Sequence, residues 1–127
     1  MTEIKRSNPI RDYFLTSTSR YKQQLVEIQT EDGKAFNVMI KEPNARQRGE
    51  IFKAATKIKR TQETEIDHAE LQVWAVIYCT YDAETGERLF DVADHDLLLS
   101  LPSSVFDRLA KPALEMIGEN VEEVEKN

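Results

Sequence analysis

Cysteine is nearly missing from this chain. Cys79 stands alone among 127 residues, so no intrachain disulfide can form, and a reducing compartment suits the sequence. Histidine is almost as scarce: His68 and His95 lie far apart, and neither falls at metal-ligand spacing with Cys79. No apolar run approaches the ~20 residues of a membrane span. Met1–Asn8 is polar, so a signal peptide is not expected. The four glycines are isolated, which leaves no glycine-rich phosphate loop, and neither an HExxH nor a nucleophile-elbow pattern is present. Asp91, Asp94 and Asp96 cluster, but without calcium-loop spacing or a central glycine they read as helix caps. No catalytic residue, metal or cofactor is expected, and an enzyme with an unrecognised site is the weakest reading.

What the chain does have is charge, unevenly placed. Residues 1–62 carry 13 Lys/Arg against 7 Asp/Glu, a balance of +6, whereas residues 63–127 carry 4 against 16, a balance of −12. Such a division suits either two solvated faces or electrostatic complementarity, between copies or with a partner.

The longest apolar stretch is Ala69–Phe90, AELQVWAVIYCTYDAETGERLF, which holds the only Trp and the only Cys. Strand formers are frequent in it. Its length without Gly or Pro, from Thr64 to Tyr81, instead predicts a central helix beginning at Thr64 and ending near Tyr81. Val73, Trp74, Ile77 and Tyr81 share one face of that helix, and Trp74 is expected to be largely buried.

Around it the sequence predicts an α+β domain, mainly helical, with an N-terminal β-hairpin packed on a small helical bundle. Residues 1–22 read as a loosely held polar arm, with a short turn over Ile10–Leu15 whose Tyr13, Phe14 and Leu15 are available to dock on the core. Residues 23–118 form the single domain, and 119–127 an acidic tail. The hairpin spans Gln24–Lys41 around an Asp32-Gly33 turn. Asn44, with Gln47 three residues on, opens a basic helix over 44–60 carrying Arg46, Arg48, Lys53, Lys57, Lys59 and Arg60. Asp91 or Asp94 caps a short helix that turns Leu97, Leu98 and Leu101 inward. Pro102 opens a last helix, Pro112 predicts a kink or break near Lys111, and Gly118 ends it.

Three stretches together resemble the tail assembly chaperones of long-tailed bacteriophages. Residues 38–55, VMIKEPNARQRGEIFKAA, look like that family's strand, polar link and amphipathic helix. Residues 71–90 look like its apolar helix, acidic Gly turn and Leu-Phe pair. Residues 104–127, ending GENVEEVEKN, resemble its closing helix and Glu-rich end. The resemblance implies a non-enzymatic factor of the host cytoplasm, absent from the mature virion. It implies that the chain holds the apolar tape measure protein in soluble form, with the major tail protein as a second candidate partner, and self-associates into a ring or spiral. No catalytic residues come with it, and neither nucleic acid nor membrane is implied as a partner. The charge division suggests head-to-tail association, with Arg46, Arg48, Lys53 and Lys57 on the basic side and Asp91, Asp94 and Glu115 on the acidic side. The competing reading is a small nucleic-acid-associated regulator acting through the basic helix 44–60, against which the acidic remainder would repel a phosphate backbone.

Overall fold

The computed structural model describes residues 8–16 and 20–118, so the acidic tail 119–127 and parts of the N-terminal arm lie outside the described residues. In chain order these residues form α1 (Pro9–Leu15), β1 (Gln23–Gln29), β2 (Ala35–Lys41), α2 (Ala45–Ala55), β3 (Thr56–Ile58), β4 (Thr64–Ile66), α3 (His68–Cys79), β5 (Thr80–Asp82), a 3₁₀ turn (Val92–Asp94), α4 (His95–Leu99) and α5 (Ser103–Met116). The class is α+β.

α3 is the centre because it is apolar on several sides. Leu71, Val73, Ala75, Val76, Ile77 and Cys79 are all buried. A helix with so little polar face needs neighbours all round. α2 contributes Ile51 and Ala55, α5 contributes Phe106, Ala110, Ala113 and Leu114, and β2 contributes Val38 and Ile40 to the same core. Thr64 does not start this helix. Thr64–Ile66 is extended, and Asp67 is the N-cap, its carboxylate accepting from the Glu70 N–H at 3.1 Å. Nor does the helix reach Tyr81, because Thr80–Asp82 leaves it to pair antiparallel with β2, Thr80 opposite Ile40 and Asp82 opposite Val38. The hairpin thereby becomes a three-stranded sheet in the order β1-β2-β5.

The hairpin lies where its alternation places it, with Val26 opposite Val38 and Ile28 opposite Phe36. Its turn is longer than a two-residue loop. The Thr30 N–H still donates to the Lys34 carbonyl at 2.8 Å, and within the turn only Gly33 takes a positive φ, 86°. That is the three-residue loop in which a left-handed glycine restores the pairing.

The basic helix is shorter than its charge pattern implies. The capping box of Asn44 and Gln47 forms, but the helix stops at Ala55. Thr56–Ile58 and Thr64–Ile66 pair as a second, two-stranded sheet, Lys57 opposite Glu65, with Lys59 and Glu65 in an ion pair of 3.4 Å. β-Branched residues lose side-chain freedom in a helix and suit an extended backbone. The cross-strand charges then complete the pairing. No glycine marks the turn; Gln62 itself adopts φ 71°.

Two further expectations change. α4 is only five residues long, so a single leucine, Leu98, faces the core, whereas Leu97 and Leu101 stay exposed. α5 runs unbroken through Pro112 to Met116, and Gly118 then takes φ 87° beyond its end.

Candidate protein-binding surfaces

Two apolar features stand exposed in the described fold. One is α1. Asn8 caps it, its side chain accepting from Ile10 N–H at 2.9 Å and Arg11 N–H at 3.2 Å, and Pro9 stands in the first turn. Local chemistry alone therefore makes a helix here, yet it buries none of its residues: Ile10 is 71% exposed and Phe14 67%. Tyr13, Phe14 and Leu15 do not dock on the core of their own chain.

The other is a groove of about 650 Å³ between the turn end of the hairpin and the first half of α5. Ile28, Phe36, Leu89, Phe90, Val105 and Leu109 line it, together with the charged Asp82, Glu84 and Arg108. Phe36, Leu89 and Val105 are exposed. Arg108 donates to the Gln29 carbonyl at 3.1 Å and so holds strand and helix at a set separation. The segment carrying Leu89 and Phe90 is tied down by Arg88, which donates to the Ile77 carbonyl at 3.0 Å and lies over the Tyr78 ring. On the hairpin side Ile28 and Phe36 belong to the same apolar half of the alternation as Val26 and Val38, at the turn end. Its counterpart on α5 is visible only once the two elements are placed side by side.

The charged residues singled out from the sequence do not form one patch. Arg46 and Lys53 lie exposed on α2 and make no ion pair among the described residues. Arg48 is committed within the chain: its Nε donates to the Ile117 carbonyl at 2.9 Å, and its guanidinium covers the Phe52 ring. It thus satisfies an orphan carbonyl at the end of α5, the helix that also carries exposed Glu115. Lys57 sits on β3, not on the helix, and pairs with Asp67 at 2.6 Å. Asp91 and Asp94 are brought together, as reciprocal caps of the 3₁₀ turn. Reversing Arg48 would therefore disturb folding as well as surface charge.

Sequence reasoning missed a polar cluster beside Trp74. This residue is half-buried and packs on the core from one side; its ring lies 5.4 Å from that of His95, and its indole N–H donates to Glu70 at 3.3 Å. His95 places Nε2 3.0 Å from both Glu70 oxygens and Nδ1 2.8 Å from Asp96. Both ring nitrogens face carboxylates, so the doubly protonated imidazolium is favoured. The hydrogen bond to Asp96 and then that to Glu70 raise the pKa above its ordinary value against the opposing effect of desolvation. A raised folded-state pKa means stability that is complete below the unfolded value of ~6.5 and lost as pH rises through the folded one. The melting temperature is expected to fall as the pH is taken upward across that interval, and His95→Gln should flatten the slope. A slope unchanged in the variant would place its origin elsewhere.

Burial pushes the Cys79 thiol up to about 12, so it stays protonated and unreactive. Among the described residues no group of three or more potential ligands could hold a metal ion, and no helix is long and apolar enough to cross a membrane.

Neither a family model nor a curated protein matches the sequence. The fold does find a match. It resembles that of the bacteriophage HK97 tail assembly chaperone. The two superpose with a TM-score of 0.56 at 15% sequence identity, over 87% of this chain and 95% of the chaperone. The likeness therefore takes in nearly all of the HK97 chaperone, and it is a likeness of architecture at an identity where side-chain correspondences carry little.

Proposed function

We propose that this protein is a non-enzymatic tail assembly chaperone of a long-tailed phage, acting in the host cytoplasm and absent from the finished virion. The observation that carries the reading is the fold likeness to a tail assembly chaperone over most of both chains. The three stretches that resemble the family in sequence point the same way. The partner in this reading is the tape measure protein, with the major tail protein as a second. A tape measure displays apolar helical stripes that would otherwise aggregate. Copies of the chaperone in a ring or spiral would cover them through contacts that are individually weak and collectively strong. The polar arm, single domain and acidic tail belong to the same reading, as does a head-to-tail orientation set by charge, in which Arg46 and Lys53 are basic residues that make no ion pair among the described residues.

The regulator reading, with its nucleic-acid partner, loses ground. The helix it needs ends at Ala55, and Arg48, Lys57 and Lys59 are engaged within the chain.

Co-expression tests the proposal. The tape measure protein of the same phage, produced alone, is expected in the insoluble fraction; produced with this chain it should become soluble and co-purify with it. A tape measure whose solubility is indifferent to this chain would refute the reading.

A further inference from the structure

β1 is an edge of the three-stranded sheet, whose order is β1-β2-β5. Its pairing with β2 tells which backbone groups face the open side. The Glu42 N–H donates to the Lys22 carbonyl and the Thr30 N–H to the Lys34 carbonyl, each at 2.8 Å. In an antiparallel pair, alternate residues direct both backbone groups at the neighbouring strand. The even-numbered residues of β1 therefore serve β2, and Gln23, Leu25, Glu27 and Gln29 direct their N–H and C=O groups outward. Arg108 agrees with this parity, since it donates to the Gln29 carbonyl at 3.1 Å. The backbone groups of Gln23, Leu25 and Glu27 have no partner among the described residues.

Sheet edges are commonly blunted by Pro, Lys or a bulge. β1, QQLVEIQ, has none of these: it pairs with β2 in one register along its whole length, and Glu27 is its one charge. A row of open donors and acceptors at strand spacing is complementary to another extended strand.

The open stretch is also complementary to itself. Arg108 already holds the Gln29 carbonyl, so the stretch runs from Gln23 to Glu27, with Leu25 at its centre. In an antiparallel pairing of two copies across Leu25, the two Leu25 side chains meet, and Gln23 of each copy faces Glu27 of the other. Each Glu27 then faces an amide and not a second carboxylate; within its own chain it accepts only from the Gln29 side chain, at 3.3 Å. An axis at Val26 would instead set Leu25 against Glu27 and would need the Gln29 carbonyl. Leu25 is 57% exposed and continues a row across the outer face of the sheet with Met39 and Tyr81. Pairing across Leu25 joins that row to its own copy and covers the leucine.

We infer that β1 of one copy pairs antiparallel with β1 of a second copy, centred on Leu25, and makes one continuous sheet of the two. The contact is two-fold, so it is distinct from a head-to-tail contact, and it stands apart from the tail-assembly reading. One strand per copy is a small interface, so the association is weak and concentration-dependent.

Amide hydrogen exchange on the full-length chain, read by NMR, tests it. As concentration rises the Leu25 and Glu27 amides should slow, whereas that of Val26, already bonded to β2, should not change. Leu25→Lys sets like charges opposite each other at an exposed position and should weaken the association seen in sedimentation velocity about tenfold. Leu25→Pro removes an outward N–H, which an edge strand tolerates, and should weaken it too; it is the second variant should Leu25→Lys fold poorly. Gln23→Lys places a cation against Glu27 of the other copy and should strengthen the association, and Gln23→Glu should loosen it. Leu25 and Glu27 amides that exchange at one rate at every concentration overturn the inference, whether the chain stays monomeric or associates elsewhere. Amides protected even at high dilution also overturn it, because the edge would then be covered within its own chain. So does an association indifferent to Leu25→Lys and Gln23→Glu. Solubility of the tape measure protein on co-expression is read separately, so the failure of one proposal is distinguishable from the failure of the other.

Discussion

Replacing Ile77 by alanine is expected to cost about 2–5 kcal/mol of folding stability. Ile77 is fully buried in α3, the helix on which α2 and α5 both pack, and Val73, Val76 and Leu114 of the same core are equally enclosed. With neighbours on several sides the site cannot collapse around a missing side chain, so both the transfer term and the cavity term apply. Against a total of about 5–15 kcal/mol for a domain, the loss is a large fraction. Chemical denaturation followed by Trp74 fluorescence measures it directly, because this half-buried indole reports on the same helix. A cost below about 1 kcal/mol would mean that α3 is not the centre of the fold.

Asp67 should show the second large effect. It ends the β3–β4 hairpin and begins α3. Its backbone N–H donates to Ala55 at 2.8 Å, its carboxylate caps Glu70, and the same carboxylate pairs with Lys57 at 2.6 Å. Asp67→Ala is expected to cost about 0.5–2 kcal/mol, the usual range for a lost N-cap. Asp67→Asn keeps an accepting oxygen and gives up the charge, so it should cost less than half as much. The ion pair adds little because Lys57 is solvated. The hydrogen bond from Lys57, followed by that from Glu70, holds the Asp67 carboxyl below its ordinary value. A depressed folded-state pKa means stability that is present above the unfolded value of ~3.9 and lost as pH falls through the folded one. The deficit of Asp67→Ala relative to the unmodified chain should therefore shrink in acid. Equal costs for the two variants at neutral pH would show that the charge, not the cap, matters here.

Both predictions depend on features that differ in how far they could be read in advance. Local signals were legible. Asn44 with Gln47, Gly33 in its turn and Gly118 past α5 each act over a few residues, and each lies where its chemistry places it. The alternation of Val26, Ile28, Val38 and Ile40 set the hairpin register, because a slip by one residue would turn the whole apolar set to the wrong face. The apolar surround of α3 likewise marked the centre of the core.

Other features depended on which distant segments meet. Thr80–Tyr81 continues a helical pattern, yet the open edge of β2 draws it into a sheet, since a buried backbone needs its hydrogen bonds met. Thr56–Ile58 leaves the basic helix because Thr64–Ile66 returns alongside it with opposite charge. The committed state of Arg48 became visible only when the end of α5 arrived beside α2. The groove has no sequence signature at all, being the space between a strand and a helix about 70 residues apart. By itself the sequence determined the caps, the turns, the hairpin register and the identity of the central helix, all set by interactions within a few residues or by a repeating period. Only the tertiary structure decided where α2 and α3 stop, which charges remain available to a partner and where an apolar face stays open, because each of these is a competition between a local preference and a contact that exists only after the chain has folded.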